Sequence, residues 1–365
     1  MVPFITEDDI NEVAKVLRSG MLVQGKNVSA FEKQIELKLG VKHAVAVSNG
    51  TASLHLALCA FGIGPGDDVI LPAYSYVATA NVIELVGATP VFVDIKPATF
   101  NIDENKIEQA ITSNTKAILP VHEFGLACNI KKVCSVAEQY NLKILEDAAC
   151  ALGAAEDGKP VGSFGTAASF SLHPRKSITS GEGGIITTND DELAAKFKAL
   201  RNHGIDPENP EMDFIMAGYN YRITDFQAAL VSSQLNRFDT IVSHKQELAA
   251  VYMNELDSTL MRLPSIPKNK NHTWQTFHVV LNESINRNRL IAKLEDAGIG
   301  TNYGAQCIPA TSFYYKKYCL NSSTIFPESF ISYKQGLAIP LYFALKKEDI
   351  KYIAQTINKL IKNGN

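Results

Sequence analysis

Residues 44–72 read AVAVSNGTASLHLALCAFGIGPGDDVILP, and this stretch decides the fold class. AVAVS is a short apolar, β-favouring run, SLHLALCAFG is long enough for a helix closed by Gly62, and DVILP is a second β-rich run. A strand, a helix and another strand in that order form a βαβ unit, whose crossover makes the strands parallel. The alternation continues to about residue 190: PVFVDI, KAILPV, LKILED, AASFSL and GIITT predict further strands. YVATANVIELVG, NIKKVCSVAEQYN and DELAAKFKALRNHG predict helices, several ending at Gly or Asn. Right-handed crossovers would cover both faces of a mostly parallel, seven-stranded sheet, an α/β fold.

Beyond that region, TDFQAALVSSQLNRFDTIVSHKQELAAVYMNELD (224–257) predicts one long helical stretch, and LPSIPKNKN a polar, proline-containing loop or boundary. TFHVVLN, RLIAKLEDAGIG and KEDIKYIAQTINKLI predict a smaller α/β unit. The expected division is a large domain over 1–250 and a small C-terminal domain over 251–365, with the N-terminal helix EDDINEVAKVLRSG packing alongside the small one. A length of 365 residues fits about two domains.

Composition narrows the function classes. Hydrophobic residues make up 46% and charged residues 20%, which excludes collagen-like, low-complexity and disordered chains. Lys+Arg 35 against Asp+Glu 38 gives a net charge of -3, so no basic excess points to nucleic acid or an anionic membrane. No apolar run reaches membrane-spanning length, and the opening MVPFITEDDI has neither the basic nor the apolar region of a secretory signal. Cys59, Cys128, Cys134, Cys150, Cys307 and Cys319 are scattered without a CxxC pair, which fits a reduced cytoplasm. No His/Cys/Asp grouping has metal-ligand spacing, and no G-x-G-x-x-G opens a helix after the first strand.

Three places carry chemistry. In ASFSLHPRKSITSGEGGIITT, Lys176 stands in a polar, Gly-rich turn between two apolar runs, where a lysine can serve as a Schiff-base nucleophile or as a solvated loop residue. LKILED ends in Glu146 and Asp147, so one carboxylate should reach the carboxyl edge of a parallel sheet, where ligands bind. A carboxylate there can keep a pyridine nitrogen protonated; alone it could equally cap a helix. SNGTASLHLAL is a strand end followed by Asn-Gly-Thr and a helix, so the N–H groups of Gly50, Thr51 and Ala52 could cradle a phosphate.

Taken in order, SNGTASLHLAL, PAYSYVATANVIELVGATPVFVDI, PVHEFG, LEDAACALGA, SFSLHPRKSITSGEGG, LRNHG and GYNYRITDFQAAL resemble the DegT/DnrJ/StrS family of pyridoxal 5'-phosphate (PLP)-dependent nucleotide-sugar aminotransferases. The resemblance runs from LVQGKNVSAFE almost to the end and implies the type I fold of PLP enzymes. It makes Lys176 the family's Schiff-base lysine and proton shuttle, Asp147 the partner of the pyridine nitrogen, and Tyr76 the aromatic stacked on the ring. Thr51, Ala52 and Ser171 match phosphate contacts, and Asn220 one that reaches in from a second subunit, which implies a homodimer. The chain departs from the family at Cys150, where a Gln or His three residues after the aspartate usually bonds the cofactor's ring oxygen. A thiol is a weak donor there.

His173, three residues before the lysine in HPRKSIT, resembles the branch that aminates carbon 4. His173 itself reads as a substrate contact or a supporting hydrogen-bonded residue, His122 as a supporting residue facing the ligand edge, and Tyr303, Lys26 and Arg201 as candidates around the sugar nucleotide. The implied substrates are glutamate and a nucleotide-linked 4-keto-6-deoxy sugar. A carbon-3 or cyclitol aminotransferase is the nearer alternative. Lys176 argues against a sugar 3-dehydratase, which has histidine there, and the presence of both Lys176 and Asp147 argues against a non-catalytic sugar-binding relative.

Overall fold

In the computed structural model, which describes residues 3–209 and 211–364, each of the seven apolar runs forms a strand of one sheet. The strands are β1 (His43–Val47), β2 (Asp68–Pro72), β3 (Thr89–Val93), β4 (Thr115–Ile118), β5 (Lys143–Asp147), β6 (Ala167–Ser171) and β7 (Gly184–Thr188). Their order is β1-β7-β6-β5-β4-β2-β3, with only β7 antiparallel to its neighbours. The strands are mostly apolar and buried on both faces because both faces are covered. On β5, Leu145 enters the core under α3 (Gly50–Phe61), α4 (Ala78–Leu85) and α6 (Asp191–Arg201), whereas Ile144 packs with Ile130 and Val133 of α5 (Ile130–Gln139).

On β1, Ala44 and Ala46 face α2 (Lys26–Leu39), a helix to which sequence reading gave no place. Its signal is the spacing of Val28, Phe31, Ile35 and Leu39, all buried. The long helix expected over 224–257 is two, α7 (Asp225–Leu235) and α8 (Phe238–Glu255), broken at Asn236 and Arg237. The break has a role in packing: the Arg237 guanidinium donates to Phe4 O and pairs with both carboxylate oxygens of Asp9 in α1 (Glu7–Ser19). That helix, started by a Thr6/Asp9 capping box, lies against α7. Just before it, the Phe4 ring lies 4.7 Å from that of Phe343.

The C-terminal part contains the antiparallel sheet β8 (Met261–Arg262), β9 (Phe277–Leu281) and β10 (Gly336–Ile339), ordered β8-β9-β10. α9 (Arg287–Asp296) and α13 (Lys347–Lys362) close its core with Leu290, Leu294, Ile353 and Ile357. The expected division at 250/251 falls inside α8, which gives Phe238, Ile241 and Val242 to one core and Leu248, Ala249 and Tyr252 to the other. Residues 1, 2, 210 and 365 of the expected domains lie outside the described residues.

Between β9 and β10 the chain returns to the large sheet. Gln306 and Cys307 pair with Ser75 and Tyr74, and α10 (Ser312–Tyr318), α11 (Ser322–Ile325) and α12 (Pro327–Gln335) follow. Tyr314 and Phe326 meet Phe92 edge-to-face at 5.8 and 6.3 Å, so this part of 251–365 belongs to the core of the large sheet.

Candidate active site

At the carboxyl end of β5 the alternation of a strand sends neighbouring carboxylates to opposite sides. Glu146 turns under the sheet and accepts from Gly162, Phe164 and Gly165 N–H and from His122 Nε2. Burial pushes its pKa up, but these donors, led by His122, outweigh it and hold the carboxyl below its ordinary value. Asp147 turns to the ligand edge. It is 4% exposed, and Oδ2 accepts from Thr79 Oγ1 at 2.9 Å while Oδ1 accepts from the Ala149 N–H at 3.1 Å. Ser75 Oγ stands 2.9 Å from Thr79 Oγ1 and extends the chain of hydroxyls. Burial raises the Asp147 pKa against the pull of Thr79, Ala149 and Lys176, so a cation set against this carboxylate would be strongly favoured.

Lys176 follows β6 on the same edge, and its Nζ lies 3.0 Å from Cys150 Sγ. Burial raises the Cys150 pKa. Two buried groups that sequence reading passed over complete this corner. Lys245 on α8 is 4% exposed, its Nζ donates to Ser177 Oγ at 3.2 Å, and burial pushes its pKa down to about 7. Glu123 is 5% exposed, and burial, followed by the charge of Asp147, pushes its pKa up to about 8. Both had a signal: Lys245 lies on the apolar stripe Ile241–Lys245–Leu248, and Glu123 is an acid inside the apolar run ILPVHEFGLA.

The turn after β1 meets the end of β6. A Cβ on Gly50 would lie 2.9 Å from the Cβ of Ser171 and 3.3 Å from its Oγ, so only glycine lets the start of α3 approach this hydroxyl. Thr51 is exposed beside it. The Ala52 N–H, expected as a phosphate donor, is taken by the cap oxygen of Asn49 at 2.8 Å. A helix N-terminus and Ser171 Oγ thus meet at one corner suited to a phosphate.

The remaining candidates separate. Tyr76, 58% exposed, stands just before α4 and after the two-residue strand Tyr74–Ser75. His173 Nδ1 accepts from the Arg175 N–H at 3.2 Å, leaving Nε2 as its outward nitrogen, and burial followed by the Arg175 charge lowers its pKa. Tyr303 is 45% exposed, with the Arg287 guanidinium 4.3 Å from its ring centre. Asn220 is exposed, in a bridge with Asn202, which also accepts from Arg222. Lys26 is exposed at the first residue of α2.

Two expectations are corrected. His122 does not face the ligand edge: it is fully buried, its Nδ1 accepts from the Cys128 N–H at 3.1 Å, and its Nε2 donates to Glu146 at 2.9 Å. Neither ring nitrogen is left for a substrate. Arg201 is 4% exposed, with its guanidinium on Glu32 at 2.6 Å and on the Ala46 carbonyl at 2.7 Å, so it ties α6 to β1 and α2 and is not available to a sugar nucleotide.

A lysine, a buried carboxylate and a phosphate corner converging on one sheet edge are the parts of a PLP enzyme, and the model of the DegT/DnrJ/EryC1/StrS aminotransferase family matches residues 3–358. The chain belongs to this family. Among curated relatives it is 45% identical over 279 residues to GDP-perosamine synthase of Caulobacter vibrioides, covering 75% of each chain. It is 34% identical over 385 residues to the spore coat polysaccharide biosynthesis protein SpsC of Bacillus subtilis, covering 100% of this chain and 97% of that one. The PLP form of Spr1654 from Streptococcus pneumoniae superposes with a TM-score of 0.94 at 29% identity, covering 99% of this chain and 98% of that one. The protein is therefore an aminotransferase of the PLP-dependent type I fold.

The residues present fit that cofactor. The Gly50–Ser171 corner suits its phosphate, buried Asp147 its ring nitrogen, and Lys176 its aldehyde. Among the described residues no helix is long and apolar enough to cross a membrane, and no cluster of His, Cys, Asp and Glu could hold a metal ion.

Proposed function

We propose that this aminotransferase uses PLP to take an amino group from glutamate and deliver it to carbon 4 of a nucleotide-linked 4-keto-6-deoxy sugar, giving a 4-amino-4,6-dideoxy sugar. The observation that carries the reading is the convergence of Lys176, Asp147 and the Gly50–Ser171 corner at one sheet edge. The 45% identity to a protein named GDP-perosamine synthase supports a sugar nucleotide as acceptor, and His173 in HPRKSIT supports carbon 4.

Bound PLP supplies the electron sink for a carbanion beside the transferred nitrogen. The chain's own residues do the rest. Asp147, fixed by Thr79 and Ala149, keeps the ring nitrogen protonated. Lys176 Nζ would hold the cofactor at its aldehyde and, when free, would move a proton at the reacting carbons. The open N–H groups at Gly50 and Thr51 and the Ser171 hydroxyl hold the phosphate, and Tyr76 covers one ring face. Asn220 from a second copy of the chain completes the phosphate site, so the working form is a homodimer in the cytoplasm, where its six cysteines stay reduced. His173 and Tyr303 border the side from which glutamate and the sugar enter. The two half-reactions share one site and alternate in ping-pong order.

The first test is the absorbance spectrum of the PLP-loaded protein before and after glutamate alone. Bleaching of the visible band is expected; an unchanged band would remove glutamate as donor. Screening UDP-, GDP- and dTDP-linked keto sugars follows, with NMR of the product to locate the new amine. An amine on carbon 3, or on a cyclitol, would overturn the carbon-4 assignment.

A further inference from the structure

Glu123 is the buried acid to which the reading above gives no task. It follows Val121, which bridges to Asp147 at the sheet edge, and His122, whose N–H donates to the Asp147 carbonyl at 2.9 Å. Its own N–H donates to Asn101 Oδ1 at 2.8 Å, and the chain then turns through left-handed backbone at Phe124 (φ 55°) and Gly125 (φ 99°). A Cβ on Gly125 would lie 3.1 Å from the Cys150 carbonyl oxygen and 2.6 Å from Thr273 Oγ1, so the turn is pressed against Cys150. Anchored this way, the Glu123 side chain is 5% exposed, and its Oε2 has no hydrogen-bond partner among the described residues. A buried carboxyl oxygen left unpaired calls for a partner.

The chemistry of PLP says which partner. Its phenolic oxygen is on the ring carbon next to the one bearing the aldehyde, so whatever bonds that oxygen must stand beside the lysine that anchors the aldehyde. Cys150 stands there, but its sulfur is engaged by Lys176 and a thiol donates weakly. We infer that Glu123, through Oε2, bonds the ring oxygen of bound PLP and so fills the position that Cys150 leaves short. The inference rests on the PLP reading proposed above.

The oxygen to be bonded is an acceptor, so the carboxyl must bring the proton. Burial and the charge of Asp147 push Glu123 up to about 8 against the pull of Lys176, which keeps a proton on it at neutral pH. The other groups that face this corner are Tyr74, Cys150 and, across Cys150, Lys245, and His272 and His278 line a small cavity with Glu123. A buried carboxylic acid held neutral is an effective hydrogen-bond donor.

The test compares wild type, Glu123→Gln and Glu123→Leu, each loaded with PLP, by the PLP dissociation constant and the pH midpoint of the visible band. The glutamine amide still donates, so Glu123→Gln should stay within about twofold of wild type in affinity. Glu123→Leu should bind PLP about five- to tenfold more weakly and move the pH midpoint, which a merely structural residue would not do. Glu123→Leu with unchanged affinity and midpoint overturns the inference. So does Glu123→Gln with the loss expected of leucine, since the side chain then acts as a carboxylate. Failure of wild type to form a visible band with PLP is a different result: it overturns the PLP reading itself.

Discussion

Lys176 Nζ lies 3.0 Å from Cys150 Sγ, and both atoms face the buried carboxylate of Asp147. The amine is therefore held at the mouth of a polar corner by a soft, weak partner that it can leave easily.

Replacing that amine removes both the anchor and the proton carrier. Lys176→Ala should lower turnover on the order of 10⁴-fold while leaving circular dichroism and the elution volume of the protein unchanged. Residual turnover within tenfold of wild type, measured with the correct sugar nucleotide, would sink the assignment.

The thiol beside it should be slow to react. Burial raises the Cys150 pKa, so at neutral pH the thiol stays protonated, whereas Cys319 is exposed. Iodoacetamide followed by peptide mass spectrometry should find Cys319 labelled at least about tenfold faster, and prior loading with PLP should slow Cys150 further. Early modification of Cys150 would contradict the geometry.

Crowding the phosphate corner should release the cofactor. In Gly50→Ala the new methyl group would meet Ser171 Cβ at 2.9 Å, and PLP retention through gel filtration should fall by at least about tenfold. Ser171→Ala removes one hydrogen bond and should cost about two- to tenfold in affinity. Asn220→Ala should also weaken retention, and only in the dimer; unchanged affinity would remove the cross-subunit contact.

Without cofactor, stability should depend on pH through two opposing sets of buried groups. Glu123 is raised from 4.5 to about 8, so the folded state holds a proton that the unfolded state has lost, and stability falls as pH rises through that window. His272 and His278 are lowered from 6.5 to about 3, mainly by burial, so their contribution falls as pH drops below 6.5. Urea midpoints of the cofactor-free protein between pH 5 and 8 should fall less steeply for Glu123→Gln than for wild type; parallel curves would show that Glu123 is ionised in both states.

Arg201→Met should cost about 3 kcal/mol of stability in urea, because Glu32 is left without its cation near the core. Affinity for PLP in the surviving folded protein should be unchanged; a selective loss of sugar-nucleotide binding would return Arg201 to the substrate site.

Much of this architecture is legible in the sequence because buried parallel strands are nearly pure apolar runs; DVILP becomes β2 residue for residue. The site's skeleton was legible for a different reason, since Lys176 and Asp147 are charges at the ends of such runs. What stayed hidden depends on which way a side chain turns. His122 and Glu123 are adjacent after the same strand, yet one is spent on Glu146 below the sheet and the other keeps one carboxyl oxygen, Oε2, without a hydrogen-bond partner among the described residues. No local pattern separates them. Arg201 looked like an anion binder because its partner, Glu32, is 169 residues away in the chain. The break at Asn236 was invisible for the same reason: the interaction that exploits it, Arg237 with Asp9, joins residues 228 apart.

The continuity of α8 also bears on how the protein comes apart. Phe238, Ile241 and Val242 are bound into the packing of the large sheet, and Leu248, Ala249 and Tyr252 into that of the small one, on a single run of backbone. Melting either end frays the helix that braces the other, so heat or denaturant meets one cooperative structure and not two independent ones.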